Sequence, residues 1–196
     1  MIRETNYDEV FEAQEHFRII MDAMARPGSI HKLDGGIEEL EGVNKATCLV
    51  AFTLLDSNVT FYQRFSETFD EYLILNTSSS PAQAEQADFL FLNGNEEMDQ
   101  VIEQAKEGDP EYPEKGAFLI IQVAKISYER FNNSHEVILN GPGVKAEQPI
   151  YLEGIEKSIL EIIKEKNVEY PLGVDTLLTD PRGNTVGIPR SNQFTF

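Results

Sequence analysis

Apolar residues recur at helical spacing near the start of the chain. Asp8 or Asn6 can cap the beginning of this segment, and Pro27-Gly28 provides a strong stop signal. Proline disfavours helical backbone in the residue before it, and glycine accepts a left-handed turn. We therefore predict a first helix that ends near residue 26 and turns one stripe of side chains toward the core, namely Ala13, Phe17, Ile20, Met21 and Met24.

Two later segments have the same periodicity. One opens at Asn95 and closes at Gly108 and Pro110, and the other has cations near its C-terminal end, where the helix dipole favours them. Residues 46–55 are almost all apolar, which fits a buried helix or a long buried strand, and their length favours the helix. Residues 72–75 form a short apolar run, which we predict neither as a helix nor as a strand. The predicted core stripes are Met98, Val101, Ile102 and Ala105 in the first segment, and Ile155, Ile159, Ile162 and Ile163 in the second.

Several apolar stretches have the composition and length of β-strands. Residues 116–126 are nearly continuously apolar and rich in β-branched and aromatic residues, as expected of a central strand covered on both faces. A terminal hairpin is predicted from residues 173–179 and 185–189, with its turn at 180–184. Helices and strands alternate, so we predict one α/β domain over residues 1–196, with a mixed β-sheet flanked by helices. The other predicted strands are 59–63, 87–92 and 136–140.

The charge balance narrows the classes of partner. The chain has 16 Lys and Arg residues against 34 Asp and Glu residues, a formal net charge of −18. This charge repels nucleic-acid backbones and anionic bilayers, so we expect neither nucleic acid nor a membrane as a partner. No apolar run reaches membrane-spanning length, and the first residues lack the apolar region of a signal peptide. The expected location is the cytoplasm.

The sequence GPGVKA at residues 141–146 formally matches the glycine-rich fingerprint of dinucleotide-binding folds. That fingerprint must open a helix whose N-terminus receives the pyrophosphate, whereas Pro149 and the extended residues after it leave no room for a helix. We therefore predict a tight turn at Gly141 and Gly143, in which backbone approaches either backbone or a ligand. A purely structural turn and a loop of a binding site are the two alternatives.

Cysteine and histidine give no signal for catalysis or for metal binding. The single cysteine, Cys48, lies inside an apolar run and is interpreted as a buried core thiol. His16, His31 and His135 are scattered, and no pair has the spacing of metal ligands, so no metal site is expected. His16 is expected to flank the core stripe of the first helix.

Three arginines are the candidates for binding an anion. Arg18, Asp22 and Arg26 follow each other at steps of four, so that both arginines can pair with the aspartate on the helix surface. The alternative interpretation is a solvated ladder of weak salt bridges. Near the end of the chain, Asp175 and Arg190 lie beside proline and glycine. The hypothesis is that Arg18, Arg26 and Arg190 supply positive potential to one anionic pocket or partner groove, and that Asp175 orients one of them.

Five segments, in this order and over nearly the whole chain, resemble one protein family. The chain is similar to the H subunit of the carbon–phosphorus lyase system, the PhnH family. No single segment is decisive, and the resemblance rests on all five in register. They are FRIIMDAMARPG, AEQADFLFL, PEKGAFLIIQVAKIS, LNGPGV and YPLGVDTLLTDPRGNTVGIPRS.

The resemblance implies a fold similar to the large domain of pyridoxal-phosphate-dependent transferases, without the cofactor. It implies a homodimer that joins subunits G, I and J and, with subunit L, serves the displacement of adenine from ATP by an alkylphosphonate. The product of that step is a ribose 1-phosphonate 5-triphosphate. We expect a non-catalytic scaffold subunit, or one that contributes to binding of ATP or alkylphosphonate. The alternative is a free-standing nucleotide- or pyridoxal-type transferase with its own active site.

Overall fold

The computed structural model describes residues 5–38, 40–144 and 149–196. The helices are α1 (Phe11–Ala25), α2 (Lys45–Leu54), α3 (Glu67–Thr77), α4 (Asp99–Gln104) and α5 (Lys157–Lys166), with a 3-10 turn at Pro113–Lys115. The strands are β1 (His31–Lys32), β2 (Thr60–Gln63), β3 (Ser80–Pro81), β4 (Phe89–Asn93), β5 (Phe118–Gln122), β6 (Lys125–Ser127), β7 (His135–Asn140), β8 (Ile150–Glu153), β9 (Asp175–Thr179), β10 (Asn184–Ile188) and β11 (Gln193–Thr195).

Within the described residues, the larger sheet has seven strands in the order β1-β10-β9-β5-β4-β2-β3. Strands β9, β5, β4, β2 and β3 run parallel, and β10 and β1 extend one side in antiparallel fashion. The central strand is β5, where Phe118 lies opposite Asp175 of β9 and Phe89 of β4. Its residues 119–121 are fully buried. Residues 118–122 of the predicted strand therefore form the middle of the sheet, as their pattern predicts. The predicted strand at 116–126 is too long, because the chain leaves this sheet after Gln122 and residues 125 and 126 belong to β6 of the smaller sheet.

Helices cover both faces of the larger sheet, and successive residues of β5 point to opposite sides. Ile120 packs with α1, α2 and α3, in a core that includes Phe61 and Phe91. Leu119 and Ile121 belong to the second core, which is formed with α4, α5 and the smaller sheet. The strand alternation thus divides one hydrophobic stretch between two separate cores.

The smaller sheet is antiparallel, in the order β11-β7-β8-β6. One buried carboxylate joins it to the larger sheet. Asp180 Oδ2 accepts a hydrogen bond of 3.0 Å from the backbone N–H of Ile126. Its other oxygen accepts from the backbone N–H groups of Arg182 and Asn184, at 2.8 and 3.0 Å. These bonds also fix the turn of the terminal hairpin that the sequence predicts.

The apolar run at residues 46–55 is helical up to Leu54, and Leu55 is the C-cap with extended backbone. Helix α2 begins after Asn44, whose side-chain oxygen accepts from the N–H of Thr47 at 2.8 Å, which satisfies one of the free donors of the first turn. At the start of α1, Asp8 Oδ1 accepts from the N–H groups of Val10 and Phe11 at 2.9 and 2.8 Å. Of the two predicted capping residues, Asp8 is therefore the one that binds free N–H groups at the start of the helix, although the N-cap position itself is Val10, which has no side-chain cap.

The predicted core stripe of the first helix is wrong in part. Phe17 and Met21 are 46% and 54% exposed, whereas His16, Ile20 and Ala23 are buried. A histidine can occupy the core face because both ring nitrogens have partners: Nδ1 lies 3.1 Å from the hydroxyl of Tyr7, and Nε2 lies 3.0 Å from a backbone carbonyl. Apolar character alone did not identify the buried face.

Helix α3 is an element to which the sequence pattern gave no assignment. It contains the short apolar run at residues 72–75, and Ser66 caps its start by accepting from the N–H of Phe69 at 3.2 Å. Helix α4 begins at Asp99 and therefore later than the predicted start at Asn95. Its stripe is buried as predicted, because Met98, Val101, Ile102 and Ala105 all lie in the core.

Candidate functional site

The sequence candidates Asp175 and Arg190 form an ion pair at the amino end of β9. Arg190 Nε and Nη2 both donate to Asp175 Oδ2, at 3.0 and 2.7 Å, and the backbone N–H of Arg190 donates to Oδ1 at 2.9 Å. Nη1 donates to the carbonyl oxygen of Pro113 at 2.6 Å. The two charged side chains are only 12% and 25% exposed. This arrangement, which we call the Arg190 latch, ties the loop before β5 to the start of β9.

The other two candidate arginines lie on the outer surface of α1. Arg26 pairs with Asp22 at 2.5 Å, and these side chains are about half exposed. Arg18 is exposed and forms no salt bridge with any residue in the described part of the chain. No described contact joins Arg190 to either of them. A shared anionic pocket for Arg18, Arg26 and Arg190 therefore stays a hypothesis.

The predicted tight turn at Gly141 and Gly143 packs against the end of α1. Both glycines have positive φ angles, 132° and 81°. A side chain on Gly143 would collide with the carbonyl oxygen of Ala25 and with the ring of Pro27. Asn192 holds the turn from the other side by donating from Nδ2 to the carbonyl oxygen of Pro142 at 3.1 Å. Backbone approaches backbone here, and residues 145 and 146 of the predicted motif lie outside the described residues.

A cavity of about 360 Å³ lies at the carboxyl ends of β4 and β5, next to the amino end of α2. We call it the carboxyl-edge cavity. Asn93 and Gln122 reach it from the strands, and Asn44 and Lys45 reach it from the helix. In α/β sheets with parallel strands, ligands bind preferentially at this edge. Asn44 could have been found from the sequence as the residue before an apolar helix, but its meeting with the strand ends depends on the strand order.

The polar groups of the carboxyl-edge cavity are partly used by the protein itself. Gln122 Oε1 accepts from the backbone N–H of Asn44 at 3.0 Å, and Gln122 Nε2 donates to the carbonyl oxygen of Gly42 at 2.8 Å. Lys45 forms no salt bridge with a described residue and is the one charged side chain among the described residues that line this cavity. The described lining contains no carboxylate, imidazole or thiol. The cavity can hold a small polar or anionic group, but its described lining offers no carboxylate or imidazole base and no nucleophilic thiol.

Two further cavities are described, and neither contains the predicted site residues. One, of about 440 Å³, lies between β11 and the end of α5 and has Lys164 in its lining. The other, of about 670 Å³, lies beneath the first described residues, beside Tyr7 and Thr53. Arg18, Arg26, Asp175 and Arg190 line none of these three cavities.

Two side chains of the core that could react, Cys48 and Tyr7, are buried. Cys48 is fully buried, and burial raises the pKa of its thiol to about 12. Its interpretation as a core thiol is confirmed. Tyr7 is also buried, and burial raises the pKa of its hydroxyl, which lies 2.9 Å from Thr53 Oγ1. Neither group faces the carboxyl-edge cavity.

The described residues contain neither a cluster of metal-binding side chains nor a helix that could span a membrane. No group of three or more His, Cys, Asp or Glu side chains in residues 5–38, 40–144 and 149–196 could hold a metal ion. Within the same ranges, every helix is too short or too polar to cross a bilayer.

Comparison with known proteins places the chain in a family. Residues 5–195 match the family described as "Bacterial phosphonate metabolism protein (PhnH)". A protein of Stutzerimonas stutzeri named "Putative C-P lyase subunit protein HtxG" is 31% identical over 180 residues, which cover 91% of this chain and 83% of that protein. A protein of Rhizobium meliloti (strain 1021) named "Alpha-D-ribose 1-methylphosphonate 5-triphosphate synthase subunit PhnH" is 26% identical over 190 residues, or 95% and 92% of the two chains. The chain therefore belongs to the PhnH family of bacterial phosphonate metabolism proteins.

Proposed function

We propose that the chain is a non-catalytic subunit of a carbon–phosphorus lyase complex that degrades phosphonates in the cytoplasm. The names of the two relatives support a role as a subunit. In this proposal the chain forms a homodimer when alone, joins subunits G, I and J, and acts with subunit L. The complex then forms ribose 1-alkylphosphonate 5-triphosphate from ATP and an alkylphosphonate.

The observation that supports the non-catalytic part is the composition of the carboxyl-edge cavity. Among the described residues it combines one lysine, Lys45, with amides and apolar groups, and it contains no carboxylate or imidazole base and no thiol nucleophile. The single cysteine is buried, with a raised pKa. Catalytic groups for displacement of adenine would therefore come from partner subunits.

The proposed relation to the large domain of pyridoxal-phosphate transferases rests on the arrangement of elements. A largely parallel central sheet with helices on both faces is compatible with it, although such sheets serve many unrelated functions. A pyridoxal enzyme needs a lysine for the Schiff base and an acidic or basic partner for the pyridine nitrogen. The carboxyl-edge cavity has Lys45, but no carboxylate or arginine lies among its described lining. The residues present do not fit the cofactor.

The test is release of adenine from ATP and methylphosphonate, measured by chromatography, with subunits G, I and L in the presence and absence of this chain. We expect release to depend on the chain, and Lys45→Met to retain at least half of it, with Lys164→Met as the control for loss of one surface lysine. Equal release without the chain would contradict a role in this step. A loss of about a hundredfold in a folded and assembled Lys45→Met variant would contradict the non-catalytic assignment.

A further inference from the structure

Helix α1 has a second apolar surface, on the side that faces away from the core. Val10 and Phe11 are 69% and 76% exposed, at the start of the helix. Phe17 and Met21 lie further along and are about half exposed. Arg18 lies among them and is also exposed. We call Val10, Phe11, Phe17, Arg18 and Met21 the outer α1 face.

These five side chains lie on one face of the helix, where the exposed polar Gln14 separates Val10 and Phe11 from Phe17, Arg18 and Met21. At 100° per residue they fall within about 120° of the helix circumference, and they extend over roughly 16 Å of its length. The core face, with His16, Ile20 and Ala23, lies on the opposite side. Exposed apolar side chains are common singly, but several on one face of a helix are typical of a protein–protein contact. Aromatic residues, Met and Arg are also the residue types enriched in the centre of such contacts.

The patch is presented on a rigid support. The backbone of Ala23 touches β10, where a side chain on Gly187 would lie 2.5 Å from the carbonyl oxygen of Ala23. The end of the helix is held by the turn at Gly143, which leaves no space for a side chain. A surface that does not move on binding loses little conformational entropy when a partner docks.

We propose that the outer α1 face docks another subunit of the complex, one with an apolar surface that places a carboxylate opposite Arg18. This inference rests on the proposed function. Arg18 is the only charge within the face and has no salt bridge to a described residue, and a buried arginine requires a carboxylate partner.

Charge argues against a second copy of the chain as the occupant. A second copy would bring another Arg18 and a further net charge of −18. Exposed Glu9 and Glu15 border the face and would be repelled in the same way. A partner with basic side chains around its apolar centre is complementary. In this scheme the homodimer uses a different surface.

The experiment is co-purification of this chain with affinity-tagged subunits G, I and J. The affinity is then measured by titrating this chain into the purified assembly of those subunits. The test variant replaces Phe11, Phe17 and Met21 with glutamine, a good helix former. The matched control replaces Ile74 and Leu75, which are 44% and 48% exposed on α3, also with glutamine. Circular dichroism confirms that each variant is folded. We expect the control to bind like wild type and the test variant to bind at least about a hundredfold more weakly.

A second variant, Arg18→Glu, reverses one exposed charge without touching the core and should weaken binding at least tenfold. Failure of the wild-type chain to co-purify would refute the proposed function itself. Co-purification of wild type and of both outer-face variants with equal affinity would overturn the inference alone. If the triple variant enters the complex but loses self-association in sedimentation, the occupant is a second copy and the inference is wrong.

Discussion

Replacement of Arg190 by alanine tests whether the Arg190 latch stabilises the fold or whether its arginine is held ready for a ligand. The substitution removes three side-chain hydrogen bonds, two to Asp175 and one to the carbonyl oxygen of Pro113. It also leaves the Asp175 carboxylate, which is 25% exposed, without its cation. The loop before β5 and the start of β9 then lose their common anchor.

The expected loss in free energy of unfolding depends on how deeply the Asp175–Arg190 ion pair is buried. Removing one partner of a fully buried ion pair costs about 3–5 kcal/mol, and surface pairs cost less than about 1 kcal/mol. Arg190 is 12% exposed and Asp175 is 25% exposed, which places the pair near the buried limit with some screening by water. We therefore expect Arg190→Ala to lower the free energy of unfolding by about 3 kcal/mol, and the melting temperature by roughly 6–12 °C for a chain of this size.

The assay is urea unfolding followed by far-ultraviolet circular dichroism, because the chain has no tryptophan. Arg190→Lys keeps the charge but cannot form the forked contact with Asp175, so it should recover less than half of the loss. The double variant Asp175→Asn, Arg190→Ala should be destabilised by less than the sum of the single changes, since the two residues act together. Arg18→Ala serves as the matched control and should stay within about 0.5 kcal/mol of wild type.

The reasoning is refuted if Arg190→Ala stays within about 0.5 kcal/mol of wild type while its far-ultraviolet spectrum is unchanged. The guanidinium would then contribute nothing to folding despite its three hydrogen bonds with Asp175 and Pro113. Arg190 would then again be a candidate for binding an anionic ligand. Additive effects in the double variant would likewise contradict a direct contact between the two side chains in solution.

Two further predictions use the titration of single groups. Burial raises the pKa of the Cys48 thiol to about 12, so a thiol reagent at pH 8 should leave the native protein unmodified and label one thiol per chain in urea; fast labelling of native protein would contradict the buried position. Burial alone would raise the pKa of Asp88, but hydrogen bonds from Lys106 and Thr60 outweigh it and hold that pKa below its ordinary value of 3.8. The folded state thus favours the carboxylate above that value, and the stabilisation disappears as the pH falls through the lower folded pKa. Asp88→Asn should therefore destabilise the protein at pH 7 by an amount that shrinks below pH 4, and a difference independent of pH would refute this.

Much of the fold could be predicted because the start, end or turn of several elements depends on residues that are close together in the sequence. The stop signal at Pro27-Gly28 and the turn at Asp180 act through neighbours in the chain, and each is found where the sequence places it. The core face of α1 could not be predicted in the same way. It depends on Tyr7 and on the backbone of Asp34, which give a buried histidine its hydrogen bonds.

At the candidate site, too, features set by neighbouring residues could be predicted, whereas contacts between residues distant in sequence could not. The turn geometry at Gly141 and Gly143 follows from the residue types. The residue types suggested a pairing of Asp175 with an arginine, and Arg190 does donate hydrogen bonds to Asp175. The contact of Arg190 with Pro113 joins residues that are distant in sequence and could not be predicted. Lys45 enters a cavity only because β4 and β5 end beside α2, and that meeting requires the strand order.

The position of the terminal hairpin has a consequence for synthesis on the ribosome. Strand β9 is inserted between β5 and β10, and β10 pairs with β1, so that Thr185 lies opposite His31. Strand β11 completes the smaller sheet beside β7. While the chain emerges, one edge of β5 and one edge of β7 stay unpaired until β9 and β11, which follow them in the chain, are translated. Unpaired strand edges are prone to pair with other chains. Such long-range pairing also makes folding slow. Neither sheet can therefore be completed before β9, β10 and β11 have left the ribosome, and larger chains are prone to aggregate while such edges are exposed.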